Sequence, residues 1–211
     1  MNRIIIVGAG GLGREVALYL RESHPGIPCA FIDDNPRALE GHDPSMPLLG
    51  SVQGWKPSPD DLFVIAVGAP ATRQKLAALL STQGVRFLTL IHPRALVAPN
   101  ATLGVGVVVG PFSYVAPEAR IGDHVVLNVY ASAGHDTTVG AYSVLSPYVT
   151  LLGHSVLEEG VFIGSQAVVT IGKRVGAGAK VGAGSIVYHD VPAGQLAMGN
   201  PARNLPLPRV G

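Results

Sequence analysis

From Val97 to Pro192 the chain repeats in units of six. Fifteen of sixteen consecutive hexads open with a branched aliphatic residue, from Val97, Leu103 and Val109 to Val175, Val181 and Val187, and one opens with Ala133. The fifth position is Ala, Ser, Thr or Val everywhere except at Lys173, and the second is often Gly, as at Gly104, Gly122, Gly140 and Gly164. A period of six is neither the turn of an amphipathic helix nor the plain alternation of a strand. It fits a short strand followed by a corner, with one large apolar side chain pointing inward per side and small residues where the backbone turns. Hexapeptide periods mark parallel β-helices, in which a coil buries its inner face only by stacking on neighbours. A right-handed coil and a β-sandwich are the alternatives that the repeat leaves open.

Before the hexads the pattern is different. Arg3-Ile-Ile-Ile-Val7 reads as a strand buried on both faces, Gly8 to Gly13 as a glycine turn, and Arg14 to Leu20 as a helix. Gly8, Gly10 and Gly13 match the G-x-G-x-x-G dinucleotide pattern, and a second strand, Cys29–Ile32, ends in Asp33-Asp34, where the ribose-binding acid of such a unit belongs. Bare glycine backbone at a helix N-terminus accepts a phosphate, and a carboxylate accepts ribose hydroxyls. Residues 35–59 are loop-rich, with five prolines that include Pro44. Leu62–Val67 and Val85–Leu90 read as further strands, with Gly68-Ala69-Pro70 turning into a helix over Ala71–Gln83. The expected organisation is a small Rossmann-like α/β domain over 1–92, then a β-helix with a short C-terminal tail over 95–211. A complete dinucleotide fold needs two such halves, and only one is present, which argues against a nicotinamide dehydrogenase. A generic α/β start without a ligand is the plain alternative.

Bulk properties narrow the function. The net charge is +1, so nothing electrostatic points to nucleic acid or a membrane surface. One cysteine, Cys29, excludes an internal disulfide framework and suits a reducing compartment. No apolar run reaches a membrane span, and Met1-Asn2-Arg3 leads straight into a strand rather than a signal peptide. A cytoplasmic protein is expected. Charged residues are 14% of the chain, below the usual quarter, which suggests surface buried in an oligomer.

The first and fifth hexad positions should face inward, the third and fourth outward. His135 and His189 are third-position residues and His124 and His154 fourth-position ones, so all four are expected on the outside. His135-Asp136 and His189-Asp190 each set an imidazole beside a carboxylate, which can orient the ring and stabilise its cation, as a general base requires. If three hexads make one coil, residues 18 apart stack. Gly153 then lies beneath His135 and leaves room for a slim ligand arm, and His154 lies beneath Asp136. His189 falls in a terminating corner and reads as structural. The histidine spacings of 11, 19 and 35 place no three in one coil, so no metal is expected.

The glycine turn with Asp33-Asp34, Ile91-His92-Pro93, Gly134-His135-Asp136, the hexads and Gly199-Asn-Pro-Ala-Arg203 together resemble the bacterial sugar acetyltransferases of the sialic acid O-acetyltransferase type. That group includes the nucleotide-4-amino-sugar N-acetyltransferases. The resemblance implies a left-handed parallel β-helix with 18-residue triangular coils and a homotrimer. It implies acetyl-CoA, as co-substrate, in a groove between neighbouring solenoids, and a nucleotide sugar held by the N-terminal domain. Carried over residue by residue, it makes His135 the base, with Asp136 as its acid. It puts Asn128, Gly153, Ser165 and Ala183 along the coenzyme, and Gly8, Gly10, Gly13, Asp33, Asp34 and Gly68 at the nucleotide. Three positions depart from the family's common residues: Gly134 stands where Glu is usual, Val144 where a second His is usual, and Leu12 where some members are polar. The reading is therefore acetyl transfer to an amino group of a nucleotide-linked sugar. The alternatives are O-acetylation of a sialic acid or other sugar, and a non-catalytic trimeric nucleotide-binding scaffold.

Overall fold

The structure is a computed structural model that describes residues 3–42 and 46–207; Met1-Asn2, Pro44 and the end of the tail lie outside the described residues. The apolar run at the start forms strand β1 (Ile4–Val7), every residue of which is fully buried. It sits inside a parallel sheet with β2 (Cys29–Ile32), β3 (Leu62–Ile65) and β4 (Arg86–Phe87) in the order β2-β1-β3-β4. Helix α1 (Gly11–Ser23) follows the glycine turn and buries Val16, Ala17, Tyr19 and Leu20. Helix α2 (Pro70–Ser81) starts on a proline, whose missing N–H costs nothing there, and buries Arg73, Ala77 and Leu80 along one stripe. This is the Rossmann-like half unit expected.

The hexads wind into a three-sided parallel solenoid. Strand partners are offset by 18 residues on each side, as in Val126 with Val144, Ser132 with Thr150 and Arg120 with Thr138. Face I carries Leu90–Ile91, Val108–Val109, Val126–Leu127, Val144–Leu145, Phe162–Ile163 and Lys180–Val181. It ends in a hairpin of Gln195–Gly199 and Ala202–Pro206. Face II carries Leu96–Val97, Tyr114–Val115, Ser132–Ala133, Thr150–Leu151, Val168–Val169 and Ile186–Val187, and face III carries Thr102–Leu103, Arg120–Ile121, Thr138–Val139, Val156–Leu157 and Arg174–Val175. First- and fifth-position residues fill the interior, among them Val109, Leu127, Leu145, Ile163 and Val181 with Val107, Ala131 and Val161.

Corners are made by the fourth position. Nine residues other than glycine hold it with φ between 55° and 62°, including Tyr130, Asp136, Tyr148 and His154, and glycine holds it at 106, 160, 172, 178 and 184. This left-handed conformation turns the chain sharply and throws the side chain out along the prism edge.

One strand differs from the expectation. Val85–Leu90 is not a single strand. β4 closes the α/β sheet at Phe87, and Leu90–Ile91 pairs with Val108–Val109 on face I. Ile91 stands six residues before Val97, so the hexad phase already holds there and the chain joins the solenoid as soon as it can.

The α/β unit packs onto face I. The outward sixth positions of that face, Val108, Val126, Val144 and Phe162, join Ile4, Ile6, Val16, Tyr19 and Leu20 in one apolar cluster. Arg73, fully buried, clamps the seam. Its Nε and Nη2 donate to the His124 carbonyl at 3.0 and 2.8 Å, and its Nη1 donates to the carbonyls of Ile65 and Val67 at 2.8 and 3.0 Å. Burial pulls the guanidinium pKa down to about 9, and the four carbonyl contacts favour the cation in return. Among the described residues no helix is long and apolar enough to cross a membrane.

Candidate functional site: an imidazole–carboxylate pair on a prism edge

The turn between faces II and III in the third full coil is Gly134-His135-Asp136-Thr137. Thr137, at the inward fifth position, is fully buried and donates to the Gly134 carbonyl at 2.8 Å, which closes the turn. Asp136 takes the left-handed corner conformation, φ 57°, and its carboxylate turns back to the preceding ring. His135 Nδ1 and Asp136 Oδ2 are 2.8 Å apart. With the carboxylate ionised, Nδ1 carries the proton and donates it, so Nε2 is left as the basic nitrogen. The His135 side chain is 61% exposed, so that nitrogen is open to a ligand.

His154 stacks one coil along, as the 18-residue register requires. Its Nε2 is 3.8 Å from the same Asp136 oxygen, and its ring meets that of His135 edge-on, with centroids 5.1 Å apart. The Asp136 carboxyl is held below the usual carboxylate range, first by its hydrogen bond with His135, then by the nearby charges of His154, His135 and Arg120. His135, Asp136 and His154 offer ligand atoms within 4.8 Å of one another. Histidine spacing alone does not reveal this group, because the carboxylate joins two coils.

Two other expectations about this edge change. The space above Gly153 is taken by the His135 ring itself: a Cβ built on Gly153 meets Cε1, Nε2 and Nδ1 of that imidazole, the last at 3.0 Å. The room read from the sequence is the seat of the His135 ring. His124 is outside the prism but not at the surface. It is buried beneath the α/β unit, with Phe87 edge-on at 4.6 Å and Tyr142 stacked at 5.6 Å. His189 is exposed, and Asp190 accepts from the backbone of Arg174 at 2.9 Å, which ties down the final corner.

The glycine turn is built as the motif demands. Gly8 has φ 102° and lies against Ala66 and Val67, so the loops after β1 and β3 touch where the sheet order reverses. A Cβ on Gly13 would run into the Gly8 carbonyl, which keeps α1 close to the turn. Gly10 is the N-cap and has open space beside it. Asp33 does structural work here: Oδ2 accepts from Ala9 N–H and Oδ1 from Asn35 N–H, both at 2.8 Å. Asp34 Oδ1 accepts from Val52 N–H at 2.9 Å. Both acids line a cavity of about 370 Å³ with Pro36, Leu48, Leu49, Gly50 and Ser51. Gly68 lines another, of about 400 Å³, with Ala69, Pro70, Phe162 and Lys180.

The positions expected along the coenzyme divide. Asn128, Ser165 and Ala183 lie in turns of the edge between faces I and II, whereas Gly153 lies on the edge between faces II and III with His135. Asn128 Oδ1 accepts from Tyr19 OH at 3.3 Å and from Val129 N–H at 2.7 Å. The departures also find reasons. A Cβ on Gly134 would sit 2.7 Å from the Leu151 carbonyl oxygen, so the close coil stacking here requires glycine. Val144 is buried in the seam, where its methyls pack and an imidazole would lose solvation. Leu12 packs against the same cluster.

The chain is similar to known proteins in both sequence and fold. Residues 3–80 match the PglD N-terminal domain family. UDP-N-acetylbacillosamine N-acetyltransferase of Bacillus subtilis is 36% identical over 111 residues, 52% of this chain and 51% of that protein, so the match spans about half of the relative's length. The acetyltransferase domain of PglB from Neisseria gonorrhoeae superposes with a TM-score of 0.91 at 30% identity, over 97% of this chain and 100% of that one. PerB of Caulobacter crescentus, solved with CoA and GDP-perosamine, gives a TM-score of 0.86 at 31% identity, over 97% and 98%. By whole-chain likeness in both sequence and winding, the chain belongs to the family of nucleotide-sugar N-acetyltransferases built on a hexapeptide-repeat β-helix.

Proposed function

We propose that the protein transfers the acetyl group of acetyl-CoA to an amino group on a nucleotide-linked sugar, with His135 as general base and Asp136 as the residue that orients it. The observation that carries the reading is the 2.8 Å contact between His135 Nδ1 and Asp136 Oδ2, which leaves Nε2 unpaired at an exposed edge. The PglB domain has been solved with acetyl coenzyme A and PerB with CoA and GDP-perosamine, which supports this pairing of substrates.

In the proposed reaction the acceptor nitrogen attacks the thioester carbonyl carbon and a C–N bond forms. His135 Nε2 takes the proton that the nitrogen sheds, and Asp136 stabilises the resulting imidazolium. The C–S bond then breaks and the proton passes to the departing sulfur, so no acyl-enzyme is formed. Asn128, Gly153, Ser165 and Ala183 line the coenzyme in this reading. Gly8, Gly10, Gly13, Asp33, Asp34 and Gly68 shape the nucleotide cradle, with Asp33 acting on the turn through Ala9.

This reading places the chemistry between two copies. The α/β unit covers face I, and His135 stands on the edge opposite that face, between faces II and III. A sugar held by the α/β unit of one chain therefore reaches the base of another, which suits a homotrimer. The test is CoA release with a panel of UDP- and GDP-linked amino sugars. Activity in the wild type that is lost in His135→Ala supports the reading, and equal activity in the two overturns it.

A further inference from the structure

The coil register gathers a set of metal-ligating side chains on the His135 edge. Asp136 and His154 occupy successive fourth positions, and both hold the left-handed corner, at φ 57° and 60°, where the next coil has Gly172. That corner throws both side chains outward over the same stretch of edge as His135. Asp136 Oδ2 is shared between the rings: it lies 2.8 Å from His135 Nδ1 and 3.8 Å from His154 Nε2. One ligand atom from each of the three residues falls within 4.8 Å of the others, the one such group among the described residues. Two donors on a tetrahedral zinc ion, each about 2.1 Å from it, lie about 3.4 Å apart. The 2.8 and 3.8 Å contacts straddle that value. A small turn of the two rings, which are 61% and 60% exposed, brings all three donors to bonding distance.

We infer that His135, Asp136 and His154 form a binding site for a zinc-class divalent ion, and that the ion silences the imidazole of His135. The metal site rests on the geometry alone; the silencing rests on the proposed role of His135 as base. Two imidazoles and one carboxylate suit zinc and its transition-metal neighbours, whereas magnesium and calcium favour oxygen donors. With both rings neutral, the donors carry a single negative charge toward a dication. Three protein donors leave the fourth corner of the tetrahedron to water. The charge of Arg120 also reaches Asp136 and opposes a cation, which suits an ion that exchanges rather than one that is locked in. The effect on the ring follows from its electrons. A neutral imidazole has one N–H and one basic lone pair. Zinc on Nδ1 takes the place of the proton shared with Asp136, and that proton moves to Nε2. Nε2 then holds a hydrogen and accepts no other. Zinc on Nε2 covers the same lone pair directly. The ion is thus an inhibitor and not a cofactor, because transfer uses the lone pair that the metal removes.

The test uses the full chain stripped of metal with EDTA. Calorimetry follows Zn²⁺ binding, and diethylpyrocarbonate labelling mapped by mass spectrometry follows the reactivity of His135. CoA release is measured against Zn²⁺, each variant relative to its own zinc-free rate. Asparagine tolerates the left-handed corner, so His154→Asn removes a donor and keeps the coil, which an unchanged circular dichroism spectrum verifies. The expected result is one Zn²⁺ per chain that shields His135 from labelling, with inhibition that EDTA reverses. His154→Asn should raise the dissociation constant and the half-inhibitory concentration roughly 100-fold, at least the loss that follows removal of a group merely supporting a ligand. His189→Asn, at an exposed imidazole elsewhere, should bind Zn²⁺ as the wild type does. Mg²⁺ at the same concentration should neither bind nor shield. A wild type that binds no Zn²⁺, a His154→Asn variant that binds it as tightly, or equal binding of Mg²⁺ overturns the site. Zn²⁺ that binds there without shielding His135 overturns the silencing. Binding and shielding in a protein that releases no CoA with any acceptor leave the metal site standing and sink acetyl transfer.

Discussion

The imidazole of His135 occupies the space that a side chain on Gly153 would fill. Gly153 has no unusual φ, so alanine is conformationally acceptable there, and its methyl acts only by displacing the ring. Gly153→Ala should leave the melting temperature nearly unchanged and lower kcat about 100-fold, the order expected when a catalytic group is misplaced by about 1 Å. Steady-state kinetics with an imidazole NMR spectrum checks this; a wild-type kcat contradicts the seat.

Asp136→Asn keeps the shape of the pair and removes the anion that fixes the proton on Nδ1. We expect kcat to fall about 10²- to 10⁴-fold with little change in KM, comparable to His135→Ala. His154→Ala, which leaves the 2.8 Å contact in place, should cost less than about tenfold.

If the nucleotide cradle and the base come from different copies, two inactive variants rescue each other. Chains carrying His135→Ala, co-expressed with chains carrying Gly10→Trp in the open space beside the glycine turn, should form mixed assemblies. These should recover part of the activity that each variant alone lacks. No recovery in mixed assemblies confirmed by mass spectrometry argues for a site within one chain.

Replacing Arg73 removes the clamp between the α/β unit and the solenoid. Arg73→Met leaves the carbonyls of His124, Ile65 and Val67 buried without a side-chain donor, and stability should fall by about 2–4 kcal/mol. Chemical denaturation measures it, and Arg73→Lys should recover only a fraction because one ammonium cannot reach all three oxygens.

His124 and His92 both lie in that seam, and burial is the largest cause that lowers the pKa of each. For His124 the nearby Arg73 adds to the lowering. A histidine with a depressed folded pKa binds its proton more readily when unfolded. Stability should therefore decline as the pH drops below about 6.5, the ordinary histidine value. Melting temperatures between pH 7.5 and 5.5 should show the decline, and His124→Phe should flatten it.

Much of this architecture was legible in the residues. The hexad phase gave the coil, its inward positions and the outward placement of His135, and the +18 rule put His154 beside Asp136. The seam is less legible because a hexad taken singly shows only its inward residue. Yet Leu90, Val108, Val126, Val144 and Phe162 are outward apolar residues spaced by 18, and that column could have announced the α/β unit and the burial of His124. Spacing marks Asp33 for a ligand but is silent on its part in holding the glycine turn. Its bond to Ala9 N–H depends on how the turn folds back, which spacing does not encode.

The repeated left-handed corner has a consequence for how such a chain diversifies. Because the bend is supplied by backbone geometry shared by phenylalanine, tyrosine, aspartate, histidine, glutamine and glycine alike, the winding is indifferent to which of them stands there. Each coil thus offers three addresses at which new chemistry can be written without redrawing the scaffold, and a carboxylate, a stacking ring or a bare gap are alternatives at the same kind of address.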